Sequence, residues 1–398
     1  MTLPASGAIS LFAVNDELGL SHSAQIGLLC TNVRTLFGTA SGAVGLQTGY
    51  GKSNTLAFNG FNTPADISAT YVEMTSVAVN SSGLFVAIGN DACNYPRYAT
   101  STNGSTWSAP SSMGSGAHMA VIKSVAVNSS GLFVAVGYNI GYNALCYYPL
   151  YATSTNGSNW STPAYMNGST NAVVMNSVAV NSSGLFVAVG YDAKCNTGPR
   201  YATSSDGSTW TTPAAMGSGS DFVNMSSVAV NSSGLFVAVG TTGCYYPRYA
   251  TSSDGSTWTT PAAFGGGTNK AYMKSVAVNS SGLFVAVGYD FNNNTPLYST
   301  SSNGSTWTTP AAMNCTGSFA RMQSVAVNNA GVFVAVGYNT TYSLYATSSN
   351  GSTWTTPTQF NGSSDYIRMN SVTANKSGLF VSVGLNVGVG HSSYAKSN

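Results

Sequence analysis

The sequence predicts an all-β fold, a single seven-bladed β-propeller of four-stranded antiparallel blades behind a small N-terminal module. Three observations predict it. The phrase SVAVNSSGLFVAVG, or a near copy, begins at Ser76, Ser124, Ser177, Ser227, Ser275, Ser324 and Ser371, at spacings of 47 to 53 residues. A second phrase, YATSSDGSTWTTP in its commonest form, follows each of the first six copies and places Trp107, Trp160, Trp210, Trp258, Trp307 and Trp354. Charged residues are 6% of the 398, where soluble domains carry about 25%, so Ser, Thr, Asn and Gly must supply solubility. Four strand signals repeated at about 40–50 residues describe propeller blades.

Each element of a repeat has its own signal. Ser-Val-Ala-Val-Asn alternates apolar and polar residues and reads as a first strand. Asn-Ser-Ser-Gly is a turn, and Leu-Phe-Val-Ala-Val-Gly is a β-branched second strand. A variable loop leads to Tyr-Ala-Thr-Ser, the third strand. Asp-Gly or Asn-Gly marks a hairpin, and Trp-Thr-Thr-Pro is the expected fourth strand, with proline where an outer strand ends. Repeat seven stops at Asn398 without a fourth strand. Residues 54–59 are expected to supply it and to close the ring, leaving few exposed edges. The domains are thus 1–53 and 54–398.

Composition excludes several classes. The net charge is +2 and no basic stretch occurs, so nucleic acid is not an expected partner. Apolar runs of about five residues are far short of a membrane span, and the N-terminus lacks a Sec-type signal pattern. The asparagine sequons at Asn80, Asn128, Asn156 and Asn181 favour a bacterial or viral origin over a secreted eukaryotic one. Cys93, Cys146, Cys195 and Cys244 occupy similar loops on adjacent blades, too far apart for disulfides, which need Cα atoms within about 7 Å. They read as free thiols. His22, His118 and His391 are scattered, so neither a metal nor another cofactor is expected.

Two resemblances follow from particular residues. Ser204-Ser205-Asp206-Gly207-Ser208-Thr209-Trp210 resembles the Asp-box of sialidase-like and other BNR-repeat propellers, one residue shorter, with Asn at Asn103, Asn156, Asn303 and Asn350. The resemblance implies a turn capped by a short side chain, with its Trp packed between blades. Residues 1–53 are similar to an N-terminal module of bacteriophage tail and baseplate-associated proteins. The similarity is carried by Gly7 to Leu11, Val33 to Gly38, Ala40 to Val44 and Tyr50 to Ser53, with a departure at Gly45 to Gly49. Asn32 caps an expected helical turn ending at Gly38. This resemblance implies a virion docking arm, other tail or baseplate proteins as partners, and a homo-oligomer in the virion.

Antiparallel alternation puts the invariant turns on one face and the variable loops on the other, and function concentrates on variable loops. The candidate ligand-binding residues there are Tyr95, Arg97, Tyr147, Tyr148, Arg200, Tyr245, Tyr246 and Arg248; tyrosine stacks on sugars and arginine offers a planar fork. The alternative is that they pack between blades. A second candidate site is the channel mouth, where Glu73, Arg321 and Arg368 meet on blades one, six and seven beside a ring of methionines expected to be packing. These three could hold an acidic sugar or carboxylate, or form a salt-bridge network. The leading function is a phage tail fibre or spike, located in the virion, that binds a host surface glycan or protein. The alternatives are a purely structural decoration or collar protein and a sialidase-like hydrolase. Two arginines and one glutamate without a spaced carboxylate pair suggest no enzymatic role and no catalytic residue.

Overall fold

The computed structural model describes residues 58–397, apart from short segments at 115–118, 141–146, 168–171, 195–197, 218–221, 266–269, 315–319 and 362–365. The expected docking module, residues 54–57, His22, His118, Cys146 and Cys195 lie outside the described residues. Seven four-stranded antiparallel sheets form the chain, and no helix occurs among the described residues. Blade 1 runs outward from the axis through Val72–Val79, Phe85–Asp91, Pro96–Ser101 and the two-residue Ser111–Ser112. Blades 2 to 6 repeat that order.

Blade 7 closes the ring. Its inner, second and third strands are Ile367–Ala374, Phe380–Asn386 and His391–Lys396, and its outer strand is Ala65–Ser68. Ala65 pairs with Tyr394, Ser68 with Ser392, and Phe61 bridges Ser397. The strand lies later in the chain than 54–59, and the reason is aromatic. Repeat seven has no tryptophan, and Phe58 and Phe61 take that place instead. They meet Tyr345 at 5.6 and 5.4 Å, and Phe61 stacks on Phe360 at 4.5 Å.

The core is not inside blades but between them. Val134 and Val136 of blade 2 pack with Met175, Val178, Phe186 and Trp210 of blade 3, and six equivalent clusters complete the circle. The tryptophan is therefore an inter-blade side chain, and its backbone is not the fourth strand. In blade 3 only Thr211 bonds back, to the Thr203 carbonyl, before the outer strand Ala214–Ala215 begins after Pro213. The proline starts the outer strand rather than ending it, because it has no N–H to give to the ladder.

Both invariant turns are held by a short side chain. Asn80 Oδ1 accepts from the Ser82 and Leu84 amides, and the pattern recurs at Asn128, Asn181, Asn231 and Asn279. Asp206 Oδ1 accepts from the Ser208 and Thr209 amides at 2.7 and 2.6 Å. Gly207 sits at φ 77°, and an added Cβ would lie 2.7 Å from Val134 of the preceding blade. Glycine is thus demanded twice, by conformation and by packing.

The first residue of each SVAV phrase ties the blades together. Ser76 Oγ accepts from the Val125 amide, Ser124 from Val178, Ser177 from Val228 and Ser227 from Val276. Ser275 accepts from Val325, Ser324 from Val372, and Ser371 from Val77, which completes the ring.

Two expectations follow for stability. Trp210→Ala removes a side chain 2% exposed and should cost about 3–5 kcal/mol. Ser371→Ala leaves the buried Val77 amide without its acceptor and should cost about 1–3 kcal/mol. Denaturant titration of the full chain measures both, and unchanged midpoints would refute the assignment. The second expectation concerns acid. The Thr257 and Ser256 amides hold the Asp254 carboxyl down at about 2. Its ionised form therefore stabilises the fold above the ordinary 3.8 and loses that effect as pH falls towards 2. Melting curves should show an advantage of wild type over Asp254→Asn at pH 7 that disappears in acid.

Candidate functional site: the channel mouth

The mouth is shaped by one glycine per blade. Gly89 of the second strand lies so close to the inner strand that an added Cβ would sit 2.1 Å from the Glu73 carbonyl oxygen. Gly137, Gly190, Gly240, Gly288, Gly337 and Gly384 repeat this against Val121, Val174, Asn224, Tyr272, Arg321 and Arg368. That close approach accompanies a β-bulge in every inner strand, at Met74/Ser76 in blade 1 and at the same place in the others. A bulge re-aims a side chain. The bulged residues are Thr75, Lys123, Asn176, Ser226, Lys274, Gln323 and Asn370. The flanking Met74, Ile122, Met175, Met225, Met273, Met322 and Met369 are fully buried packing.

Some bulged side chains bridge neighbouring inner strands. Thr75 Oγ1 donates to the Ile122 carbonyl at 3.0 Å, and Asn370 Nδ2 to the Met74 carbonyl at 3.0 Å and to Glu73 at 3.3 Å. The two lysines make no such bridge among the described residues. Lys123 Nζ lies 5.9 Å from the Tyr138 ring centroid, and Lys274 Nζ lies 5.1 and 5.8 Å from those of Tyr272 and Tyr289. Burial lowers the proton affinity of Lys274, and the charges of Lys123 and Arg321 lower it further. Lys123 is on blade 2 and Lys274 on blade 5, so the two charges face each other across the channel.

Arg321 and Arg368 are drawn together over tyrosines. Arg321 stacks 5.5 Å from the Tyr289 ring and donates through Nε to Asn294 at 2.9 Å. Arg368 lies 5.4 and 5.2 Å from the Tyr338 and Tyr366 rings and donates to the Tyr366 hydroxyl at 3.0 Å. Among the described residues neither makes a direct ion pair with a carboxylate; the Tyr366 hydroxyl and, with it, the Glu73 charge nonetheless help to hold the Arg368 proton. An open pocket of about 120 Å³ lies here, lined by Asn294, Arg321, Tyr338, Asn339, Thr340 and Tyr366. Burial pushes Tyr289 up to about 12 and raises Tyr338. Their hydroxyls therefore stay protonated at neutral pH and able to donate.

The variable-loop candidates divide. Arg97 forms a two-pronged ion pair with Asp91, at 3.0 and 2.7 Å, and Arg200 pairs with Asp192 at 2.9 Å. Asp91 also accepts from the Cys93 and Tyr95 amides, so Arg97 and half-buried Tyr95 belong to the loop's own scaffold. Burial opposes ionisation of Asp91, but the Tyr95 amide and Arg97 outweigh it and hold the carboxyl low. Blade 4 has Thr242 where the carboxylate stands, and Arg248 donates to the Pro247 carbonyl. Tyr245 adopts φ 71° and stacks on Phe291 at 3.9 Å, while its carbonyl accepts from Ala271 of blade 5. It is inter-blade packing, whereas Tyr246 is half-buried in its own loop. Tyr147 reaches the mouth, 5.3 Å from Tyr138, and Tyr148 turns to the rim against Tyr165 at 5.6 Å. Cys93 and Cys244 are exposed free thiols.

The residues that sequence reasoning missed are Lys123, Lys274, Tyr138, Tyr191, Tyr289 and Tyr338. The signals were present as a lysine inside an apolar strand and a tyrosine directly after the second-strand glycine.

No protein-family model matches the chain, and no curated protein matches it in sequence. Solved structures do. The chain is similar to YCF48 bound to a D1 peptide (TM-score 0.59, 14% identity, 86% of this chain and 96% of that one). It is similar to the BP39L lectin from Burkholderia pseudomallei (0.62, 11%, 80% and 94%) and to the Hadza microbial sialidase Hz136 (0.51, 16%, 77% and 74%). At such identities the likeness establishes the propeller fold alone. It also corrects the expectation of no enzymatic role. The sialidase, an ulvan lyase and a Penicillium chrysogenum arabinanase share the architecture, so the fold is one that hosts catalysis. The exclusion had rested on counting carboxylates at one ring of positions. Asp91, Asp192 and Asp290 also end second strands on this face.

Lys274 generates a prediction with a sign. The unfolded chain holds the lysine proton up to about 10.5, and the folded chain releases it earlier. Charged Lys274 therefore costs stability at neutral pH, and that cost is relieved as pH rises towards 10.5. Lys274→Met should melt higher than wild type at pH 7, with the gap narrowing in alkali. A lower-melting variant would show that the charge is compensated.

Proposed function

We propose that the chain is a glycan-binding propeller of a phage tail fibre or spike. Its variable-loop face meets a host surface glycan, and residues 1–53 dock the protein on other tail or baseplate proteins. The observation that carries the glycan reading is the mouth itself. Tyr338, Tyr366 and Arg321 line an open pocket, Arg368 lies over the same two tyrosine rings, and neither arginine forms an ion pair with a carboxylate among the described residues. Aromatic faces stack on sugar rings, and guanidinium groups supply planar donors. The lectin, sialidase, arabinanase and ulvan lyase among similar structures add support from proteins whose names refer to carbohydrate. The virion assignment is supported by the residues of the N-terminal segment quoted above.

The test compares two tyrosines on the same face. Tyr366→Ala should weaken glycan binding by about 2 kcal/mol and leave the melting temperature unchanged. Tyr245→Ala should lower the melting temperature instead, because its ring stacks between blades. Glycan-array binding and host-cell adsorption by the full chain, beside melting curves, measure both. An array without any hit, together with normal adsorption of particles carrying Tyr366→Ala, would favour the purely structural virion role.

A further inference from the structure

We infer that the mouth selects acidic sugars: a carboxylate or sulfate group seats among Arg321, Lys274 and Lys123, while the sugar ring enters the adjoining pocket lined by Tyr338 and Tyr366. This rests on the glycan-binding reading and deepens it. The chain has only 13 basic residues, yet Lys123, Lys274, Arg321 and Arg368 all converge here. One carboxylate, Glu73, stands among them, and Asn370 already donates to it at 3.3 Å. The lysine ammonium groups contact only ring faces, at 5.1 to 5.9 Å, and make no hydrogen bond to a protein acceptor among the described residues. Burying these cations without hydrogen-bond acceptors carries a desolvation cost that the Glu73 charge offsets only in part, at Lys123. An anion arriving from solvent removes that cost and is attracted more strongly than in open water.

The placement is built rather than incidental. Lys123 and Lys274 occupy the bulged position, and the bulge is enforced by Gly137 and Gly288 pressing on the inner strand. Arg321 is aimed by its bond to Asn294 and its stack on Tyr289. The pocket of about 120 Å³ beside it suits the end of a chain rather than an extended polymer. Carboxylated and sulfated sugars share the required chemistry, since both offer several oxygens to nitrogen donors.

The experiment uses a printed array of uronic-acid, sialic-acid, sulfated and neutral oligosaccharides, read with the full chain and with Lys274→Gln and Arg321→Gln. Melting curves run alongside establish that each variant is folded. Hits should be confined to acidic sugars, and each variant should lower those signals about tenfold, the loss of one charge-assisted contact. Free inorganic sulfate should compete, and its potency against the uronic-acid and sulfated hits tells which anion the site prefers. Neutral hits that both variants leave unchanged would overturn the acidic-sugar inference while the glycan reading stands. An array without any hit would overturn the glycan reading, and the inference with it.

Discussion

One hydroxyl per blade holds this molecule in a circle. Each inner-strand serine accepts the amide of the next inner strand, seven times over, with Ser371 returning to Val77. The inner strands of different blades share no ladder, and this bond is the one link between them that recurs at all seven junctions, supplemented at some by Thr75, Asn176 and Asn370. It sits immediately after the bulge, and the bulge needs the second-strand glycine. Ring closure and the direction of the channel-facing side chains are therefore one constraint. The residue freed by the bulge is the one that can vary, and it varies from Thr75 to Lys274.

That coupling explains what could be read from the sequence. The repeats, their turns and the tryptophans were legible, because each has a local cause: period-two alternation, an Asn or Asp cap, a glycine at positive φ. The serine ring was hidden, since Ser76 looks like any polar residue of an alternating strand. Lys123 and Lys274 were hidden for the same reason, because a one-residue bulge reverses the face that alternation assigns. Tyr147 and Tyr148 looked like one pair, and the strand sends them to opposite sides. Arg97 looked like a ligand anchor, but Asp91, six residues away, holds it.

The site is thus a by-product of scaffold geometry with a few substitutions. Blades 2, 5, 6 and 7 carry its cations and most of its tyrosines, whereas blade 4 contributes Asn224 and Thr241. The mouth is accordingly lopsided, despite its seven-fold backbone. Such asymmetry is how a repeat protein acquires a single orientation for a ligand. Structures sharing the architecture include binding proteins and enzymes, so the architecture alone does not fix a function.

The closing strand has a mechanical meaning. Phe61 lies beside Ser397 at the end of blade 7 that carries the invariant turns, and the strand runs from there towards the mouth, ending at Ser68 beside Ser392. A pull on the chain at Phe58 is directed along this strand, away from the mouth. It loads the backbone bonds to His391–Lys396 in shear, where they resist together, rather than peeling them apart one by one. The aromatic plug of Phe58 and Phe61 must leave its seat against Tyr345, Phe360 and Phe380 at the same moment. The chain therefore enters the closing strand from the end opposite the mouth, and a pull applied there is carried through the strand that seals the ring.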